Sequence, residues 1–300
     1  MVLASFSQNI TELNAIRKER IERKYRNLSV IELAMQKDLE IPFPEDVEVK
    51  PRAEATFLID LSTYKNIVNA IALVQEEAVF TSTPESTTYR AMDPSHVMLV
   101  DIQIPPEACE KYESNGLRKW CIRTEDMQKI EKRADKKERV EFHVTQDAGS
   151  MKIDLVGRRR REYENPLIES YVSDCPLPRL TFDAMFVVAK KEFENVLKDI
   201  GVKSNHVTIE AEKGVVHFSG KGDEGKASTS LSKDELCVLE VQKESKATYG
   251  LDTIQKVLKA VDCESVKLEF SSKQPFRIEL QIGLDPECRI RYYLAPRVQE

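Results

Sequence analysis

From Thr56 onward the apolar positions follow two alternating rhythms. Thr56–Leu61 reads as a short strand. Behind it Tyr64, Ile67, Val68, Ile71 and Val74 recur at the spacing of one helical face. Short alternating segments come next, such as His96–Ile104, in which Val97, Leu99 and Asp101 share one side. A second helix is predicted over Glu125–Ala134. Strands are predicted over Val140–Val144, Met151–Val156 and Glu162–Leu167.

The same course begins again near Leu180. Phe193, Val196, Leu197 and Ile200 form a helical face, and strands Val207–Ala211 and Val215–Ser219 follow. A helix over Leu251–Val261 and strands over 266–270, 276–282 and 289–294 close the chain. The repeat is also visible in letters. Gln128-Lys129-Ile130-Glu131-Lys132-Arg133-Ala134-Asp135 answers Gln255-Lys256-Val257-Leu258-Lys259-Ala260-Val261-Asp262, and Asn66-Ile67-Val68 answers Asn195-Val196-Leu197. The expected fold class is therefore α+β, with two topologically equivalent domains over 54–167 and 180–300. A connector over 168–179 carries Pro176 and Pro178.

Residues 1–53 stand outside the repeat. Ile10–Leu39 reads as a charged helix, which Pro42, Pro44 and Pro51 interrupt. The stretch holds nine basic and nine acidic residues, so the net charge of −6 belongs to the rest of the chain. It is read either as a loosely attached N-terminal extension (or a start codon set too far upstream) or as a partner-binding arm.

Composition narrows the function classes. No apolar run is long enough to span a bilayer, and the N-terminus lacks a signal-peptide core, as expected of a soluble intracellular protein. The six cysteines contain no C-x-x-C pair and have no histidine cluster beside them. Free buried thiols are expected, with no metal and no cofactor. Gly220-Lys221-Gly222-Asp223-Glu224-Gly225 matches a dinucleotide-loop pattern in letters. The strand-like Ala227–Leu231 follows it where a helix is required, so a hairpin is expected. With no Walker loop, H-E-x-x-H or nucleophile elbow in the sequence, an enzyme is the weakest class.

In an acidic protein, the basic residues collect on the helices. Lys129, Lys132, Arg133 and Lys136 form one stripe opposite Met127 and Ile130. Lys65, Asn66 and Asn69 form the polar face of the helix before it. Lys191, Asn195 and Lys198 line up in the second repeat, as do Gln255, Lys256 and Lys259. Each stripe alone reads as a solvated face. Four together suit non-specific phosphate contact, which needs charge and no base-reading side chain.

Three segments carry a family resemblance: Arg90-Ala91-Met92-Asp93-Pro94-Ser95-His96-Val97, the helix Met127–Ala134 running into Val140-Glu141-Phe142, and Tyr292-Tyr293-Leu294-Ala295-Pro296-Arg297. Over residues 56–298 the chain resembles the DNA sliding clamps of the proliferating cell nuclear antigen family, archaeal type. The resemblance implies a ring of three subunits around duplex DNA, with antiparallel sheets outside and two helices per domain lining the hole.

It further implies DNA-facing Lys65, Lys129, Lys132, Arg133, Lys191, Lys198, Lys256 and Lys259. A partner-peptide groove is implied at Met92, His96, Val97, Leu99, Leu177, Pro275, Tyr293, Leu294, Ala295 and Pro296. The implied subunit edges hold Arg159 and Arg161 on one side and Lys226, Ser228 and Ser230 on the other. Implied partners are DNA polymerase, clamp loader, flap endonuclease and DNA ligase, in a homo- or heterotrimer, at the nucleoid of the cytoplasm and away from membranes.

His96 as a catalytic base is the rival reading; no nucleophile or acid is grouped with it. A heteromer-only or checkpoint subunit, and a β-scaffold that encloses no DNA, are the alternative functions. The chain departs from the family at Cys175, where a leucine is common. It departs again at Ala72 and Asn195, where hole-lining lysines are common, and in the Arg158–Arg161 run.

Overall fold

The computed structural model describes residues 54–145, 149–169, 175–283 and 285–297. The predicted helix over Ile10–Leu39 and the N-terminal extension lie outside them. The first repeat runs β1 (Ala55–Asp60), α1 (Leu61–Ala72), β2 (Glu77–Ser82), β3 (Thr87–Met92), β4 (Met98–Ile104), β5 (Lys111–Ser114), β6 (Arg118–Arg123), α2 (Thr124–Glu131), β7 (Arg139–Val144), β8 (Ser150–Val156) and β9 (Arg160–Pro166). The second repeat has the same order: β10 (Ala184–Ala189), α3 (Lys190–Gly201), β11 (His206–Glu212), β12 (Val215–Gly222), β13 (Gly225–Ser232), β14 (Val238–Val241), β15 (Ser245–Gly250), α4 (Leu251–Ala260), β16 (Ser265–Phe270), β17 (Phe276–Gln281) and β18 (Arg289–Leu294).

Each repeat builds two antiparallel sheets. In the first they run β5-β1-β7-β8-β9 and β6-β2-β3-β4; in the second, β14-β10-β16-β17-β18 and β15-β11-β12-β13. Antiparallel pairing of β18 with β4 joins the repeats, placing Tyr293 opposite Leu99 and Tyr292 opposite Val100. This junction is the domain seam. Among the described residues, its counterparts β9 and β13 end their sheets with no strand beyond them.

Alternation decides which face each side chain takes. Phe57, Phe80, Tyr89, Trp120 and Phe142 turn inward in the first repeat, where Phe57 stacks on Phe142 at 4.4 Å and Phe80 on Trp120 at 4.3 Å. In the second repeat Tyr249 stacks on Phe276 at 4.7 Å. The helices close this core. In α1, Asp60 caps the first turn by accepting from the Thr63 amide at 2.9 Å, and Tyr64 donates to the Met127 carbonyl of α2 at 2.9 Å. α1 packs on α2, α3 on α4, and α1 on α4 across the seam.

Several boundaries differ from the sequence reading. α2 ends at Glu131, and the basic run after it is a turn. β4 starts at Met98, because Asp93–Val97 forms a loop in which His96 takes a left-handed φ of 58°. β9 starts at Arg160, so Arg158 and Arg159 belong to the hairpin turn. Gly220–Gly225 is the expected hairpin. Gly225 has a φ of 133°, and a Cβ on Gly222 would meet the Lys203 carbonyl at 2.0 Å. Asn66, expected on a solvated face, is 3% exposed and sits in the seam.

Candidate functional site

The helix faces come first. Lys132, Arg133, Lys191, Lys198 and Lys259 are exposed and form no ion pair among the described residues. Three other candidates are offset by acids. Lys129 lies 2.9 Å from Glu125 and 3.2 Å from Asp126. Hydrogen bonds to those two carboxylates raise its pKa further and keep it charged. Lys256 lies 2.7 Å from Asp252, and Lys65 lies 3.8 Å from Glu131. Two cations cap helix ends instead: Lys190 donates to the Val261 carbonyl at 2.8 Å after α4, and Arg161 to the Arg133 carbonyl at 2.9 Å after α2. Sequence spacing carries no sign of either contact, since both partners are distant along the chain.

All of the groove candidates except Leu177 gather where the C-terminal segment meets the loop before β4. Asp93 organises that loop. Its carboxylate accepts from the amides of Val97 (2.9 Å), Met98 (2.6 Å) and Ser95 (3.2 Å), and from the Ser95 hydroxyl. Burial works against its charge, but the Ser95 hydroxyl and the three amides prevail and hold the carboxyl below its usual range. The Ala295 amide then donates to the Val97 carbonyl at 2.9 Å, tying the C-terminal segment to the loop.

Register places Met92, Leu99 and Tyr293 side by side on the outer sheet face. Leu99 and Tyr293 are buried there, outside the main core cluster. Val97 is 47% and Leu177 36% exposed, two of the few large apolar side chains in the open. His96 and Ala295 are exposed, and Pro275 and Pro296 half-buried. Leu294 alternates the other way and belongs to the core with Met98, beneath the other candidates.

Beside these candidates an ion ladder crosses the seam on the outer face. Arg90, Asp101, Arg291, Glu279 and Lys267 stand opposite one another on five successive strands. Arg90 reaches Asp101 at 2.7 Å and Arg291 reaches Glu279 at 2.8 Å. Burial disfavours the charge on Glu279, but Arg291 outweighs it and holds the carboxyl below its usual range.

The two open edges differ in chemistry. Arg161 does not face out from β9. It is held inward by the Arg133 carbonyl and the Glu138 carboxylate, at the place where β18 carries buried Ile290. An inward charge of this kind keeps an edge strand from indiscriminate pairing. Arg160 is engaged on the outer face by Asp154 and, at 2.8 Å, by Glu141. Arg158 and Arg159 are exposed in the turn. On β13, Lys226, Ser228 and Ser230 are exposed along one face. Glu141, His143 and Asp154 are metal-ligating types within 4.8 Å of one another. The Arg160 guanidinium nonetheless takes the central position, 3.1 Å from His143 Nε2. All six cysteines are free, and burial pushes the Cys109 and Cys288 thiols up to about 12.

Comparison with known proteins gives one answer. Residues 54–167 match the family model described as proliferating cell nuclear antigen, N-terminal domain, and residues 176–297 match its C-terminal domain. A protein of Cenarchaeum symbiosum named DNA polymerase sliding clamp is 41% identical over 238 residues, covering 78% of this chain and 94% of that protein. Its namesake in Nitrosopumilus maritimus is 38% identical over 239 residues, with the same coverage. Among solved structures, the proliferating cell nuclear antigen of Thermococcus kodakaraensis superposes with a TM-score of 0.75 at 20% identity, over 81% of this chain and all of that one. A structure of the A. fulgidus protein with the C-terminal region of FEN-1 bound to it gives a TM-score of 0.73 at 21% identity, over 82% of this chain and 99% of that one.

Proposed function

The chain belongs to the proliferating cell nuclear antigen family, and on that footing we propose how it works as a DNA sliding clamp. Three copies close head to tail into a ring of six repeats around duplex DNA. The ring tethers replication and repair enzymes and catalyses nothing itself. The observation that carries this reading is the β4–β18 seam. One repeat already pairs with the other through these strands, and the equivalent strands β13 and β9 are left open.

The seam supplies the register for the missing contact. In β18 the fourth residue, Tyr292, faces Val100, the third of β4. The fifth, Tyr293, faces Leu99, the second. Transferred position by position, Tyr163 of one copy faces Ala227 of the next, and Glu164 faces Lys226. The pairing brings opposite charges together on the outer face and leaves Arg161 facing the helix layer. Pro166 has no amide to repeat the Ala295–Val97 bond, so the ladder between copies is one bond shorter.

With the helices on the inner side, Lys132, Arg133, Lys191, Lys198 and Lys259 supply weak, replaceable phosphate contacts, which sliding requires. Lys65, Lys129 and Lys256 contribute less, because neighbouring acids offset them. The outer groove of Val97, Leu99, Leu177 and Tyr293 takes the apolar anchors of an extended peptide, a reading supported by the structure of the A. fulgidus protein with the C-terminal region of FEN-1 bound to it. DNA polymerase, flap endonuclease and ligase are the proposed bearers of such peptides. A clamp loader opens the ring. The place of action is the nucleoid; among the described residues no helix is long and apolar enough to cross a membrane.

Native mass of the purified chain, followed by polymerase extension on primed circular DNA with a clamp loader, tests the reading. Three times the 34.4 kDa chain mass and a large gain in processivity are expected. A chain that stays monomeric when concentrated needs a different clamp subunit to close the ring. A trimer that never retains polymerase on DNA overturns the clamp reading.

A further inference from the structure

We propose that Asn195 is a subunit-docking residue whose amide donates to the backbone carbonyl of Asp135 in a neighbouring copy of this chain. The proposal rests on the ring reading above. Its template lies inside the chain. Asn66 donates through Nδ2 to the Asp262 carbonyl at 3.1 Å and accepts through Oδ1 from the Asp262 amide at 2.8 Å. This reciprocal pair fastens the first helix of one repeat to the end of the last helix of the other, where α1 packs on α4. Asparagine suits the task because its side chain offers a peptide unit one donor and one acceptor in a single plane.

The second repeat keeps both halves of the pair. Asn66 is the sixth residue of α1 and Asn195 the sixth of α3; Asp262 is twelfth from the start of α4 and Asp135 twelfth from the start of α2. The residue types are therefore retained at both equivalent positions. Asn66 is 3% exposed, whereas Asn195 is exposed and has no hydrogen-bond partner among the described residues. Transferring the α1–α4 contact to the seam between copies lays α3 of one copy on α2 of the next, with Asn195 over the turn that holds Asp135.

One half of the template has changed. The Asp135 amide already donates to Glu138 Oε2 at 2.8 Å, and Arg161 holds that carboxylate. The Asp135 carbonyl accepts from the Glu138 amide at 2.9 Å and keeps a second lone pair. The contact between copies therefore has one bond where the domain seam has two. One more residue separates Asp135 from β7 than Asp262 from β16, which gives the Glu138 bridge its room.

Dilution of the full-length chain, followed by light scattering, tests the contact with Asn195→Ala and Asn195→Lys. Removing the bond raises the concentration at which rings dissociate by about five- to tenfold in the alanine variant. The lysine variant weakens the ring at least as much and leaves the salt dependence of DNA binding unchanged. Unchanged melting of the diluted monomer excludes misfolding as the cause. If the alanine variant dissociates like the wild type and the lysine variant steepens the salt dependence, Asn195 faces the DNA; the docking contact is then wrong and the ring reading stands. A wild-type chain that forms no ring at any concentration overturns both.

Discussion

The Tyr292 hydroxyl donates to the Ala70 carbonyl at 3.3 Å, from the last strand of the second repeat to the first helix of the first. Burial pushes the phenol pKa far up, so Tyr292 remains a donor across the whole accessible pH range. Position by position, its equivalent is Tyr163 on the open edge β9, and Ala70 corresponds to Asp199 on α3.

Tyr163 is therefore expected to insert beneath α3 of the next copy and donate to the Asp199 carbonyl. A buried tyrosine at an interface centre contributes at least about 2 kcal/mol. Tyr163→Ala should thus raise the ring dissociation constant by about thirtyfold or more while the monomer still melts cooperatively. Light scattering on a dilution series reads the change. Identical assembly of variant and wild type would place Tyr163 outside the contact.

Arg160 neutralises a row of acids inside one copy. Asp154 is 2% exposed, and Arg160 is its cationic partner, with the half-buried His143 ring 3.6 Å away. Arg160→Ala leaves Asp154 and Glu141 facing each other on adjacent strands. The expected destabilisation is about 2 kcal/mol, below that of a fully buried pair because Arg160 is half exposed to solvent. Urea unfolding of the isolated variant measures it. An unchanged midpoint would mean that water screens the two carboxylates.

Asp93 organises the loop on one side of the proposed peptide groove. Asp93→Ala removes the acceptor of the Val97 and Met98 amides. Peptide affinity should fall about tenfold, with ring mass unchanged. The pH dependence has a definite sign. The folded carboxyl titrates below its unfolded value of about 3.9, so its stabilisation is fully present above that pH. It is lost as pH falls through the lower, folded value. Calorimetry with a clamp-interacting peptide between pH 5 and 8 should show no titration from this group; a drop in that range would assign the loop's order to another residue.

Equivalent lysines on α2 and α4 differ in their company. Lys132 and Lys259 stand ninth from the helix starts and are free of ion pairs among the described residues. Lys129 and Lys256 stand sixth and are paired with acids. Changing Lys132 and Lys259 together to Ala should flatten the dependence of log DNA affinity on log salt by about 0.9 for each phosphate that is no longer neutralised. The Lys129 and Lys256 double variant should flatten it less. Equal slopes for the two variants would show that the acids release their lysines to phosphate.

The repeat, the apolar helix faces and the family were all legible in the order of residues. They rest on local periodicity and on letters that recur within one chain, and neither needs a third dimension. Four helical stripes and a doubled strand pattern sufficed for two equivalent α+β domains. Long-range partners were another matter. Asn66 read as part of a solvated face because its neighbours along α1 are polar; only packing of α1 against α4 buries it against a carbonyl 196 residues away. Arg161 read as a residue of the subunit edge, and only the fold brings the end of α2 within its reach. Leu294 and Tyr293 are adjacent in sequence yet serve opposite faces of one sheet, because a strand's faces are assigned only when helices cover one of them. The balance of free and neutralised lysines was equally hidden. Spacing puts Lys129 and Lys132 on one stripe, but side-chain geometry decides which of them an acid reaches.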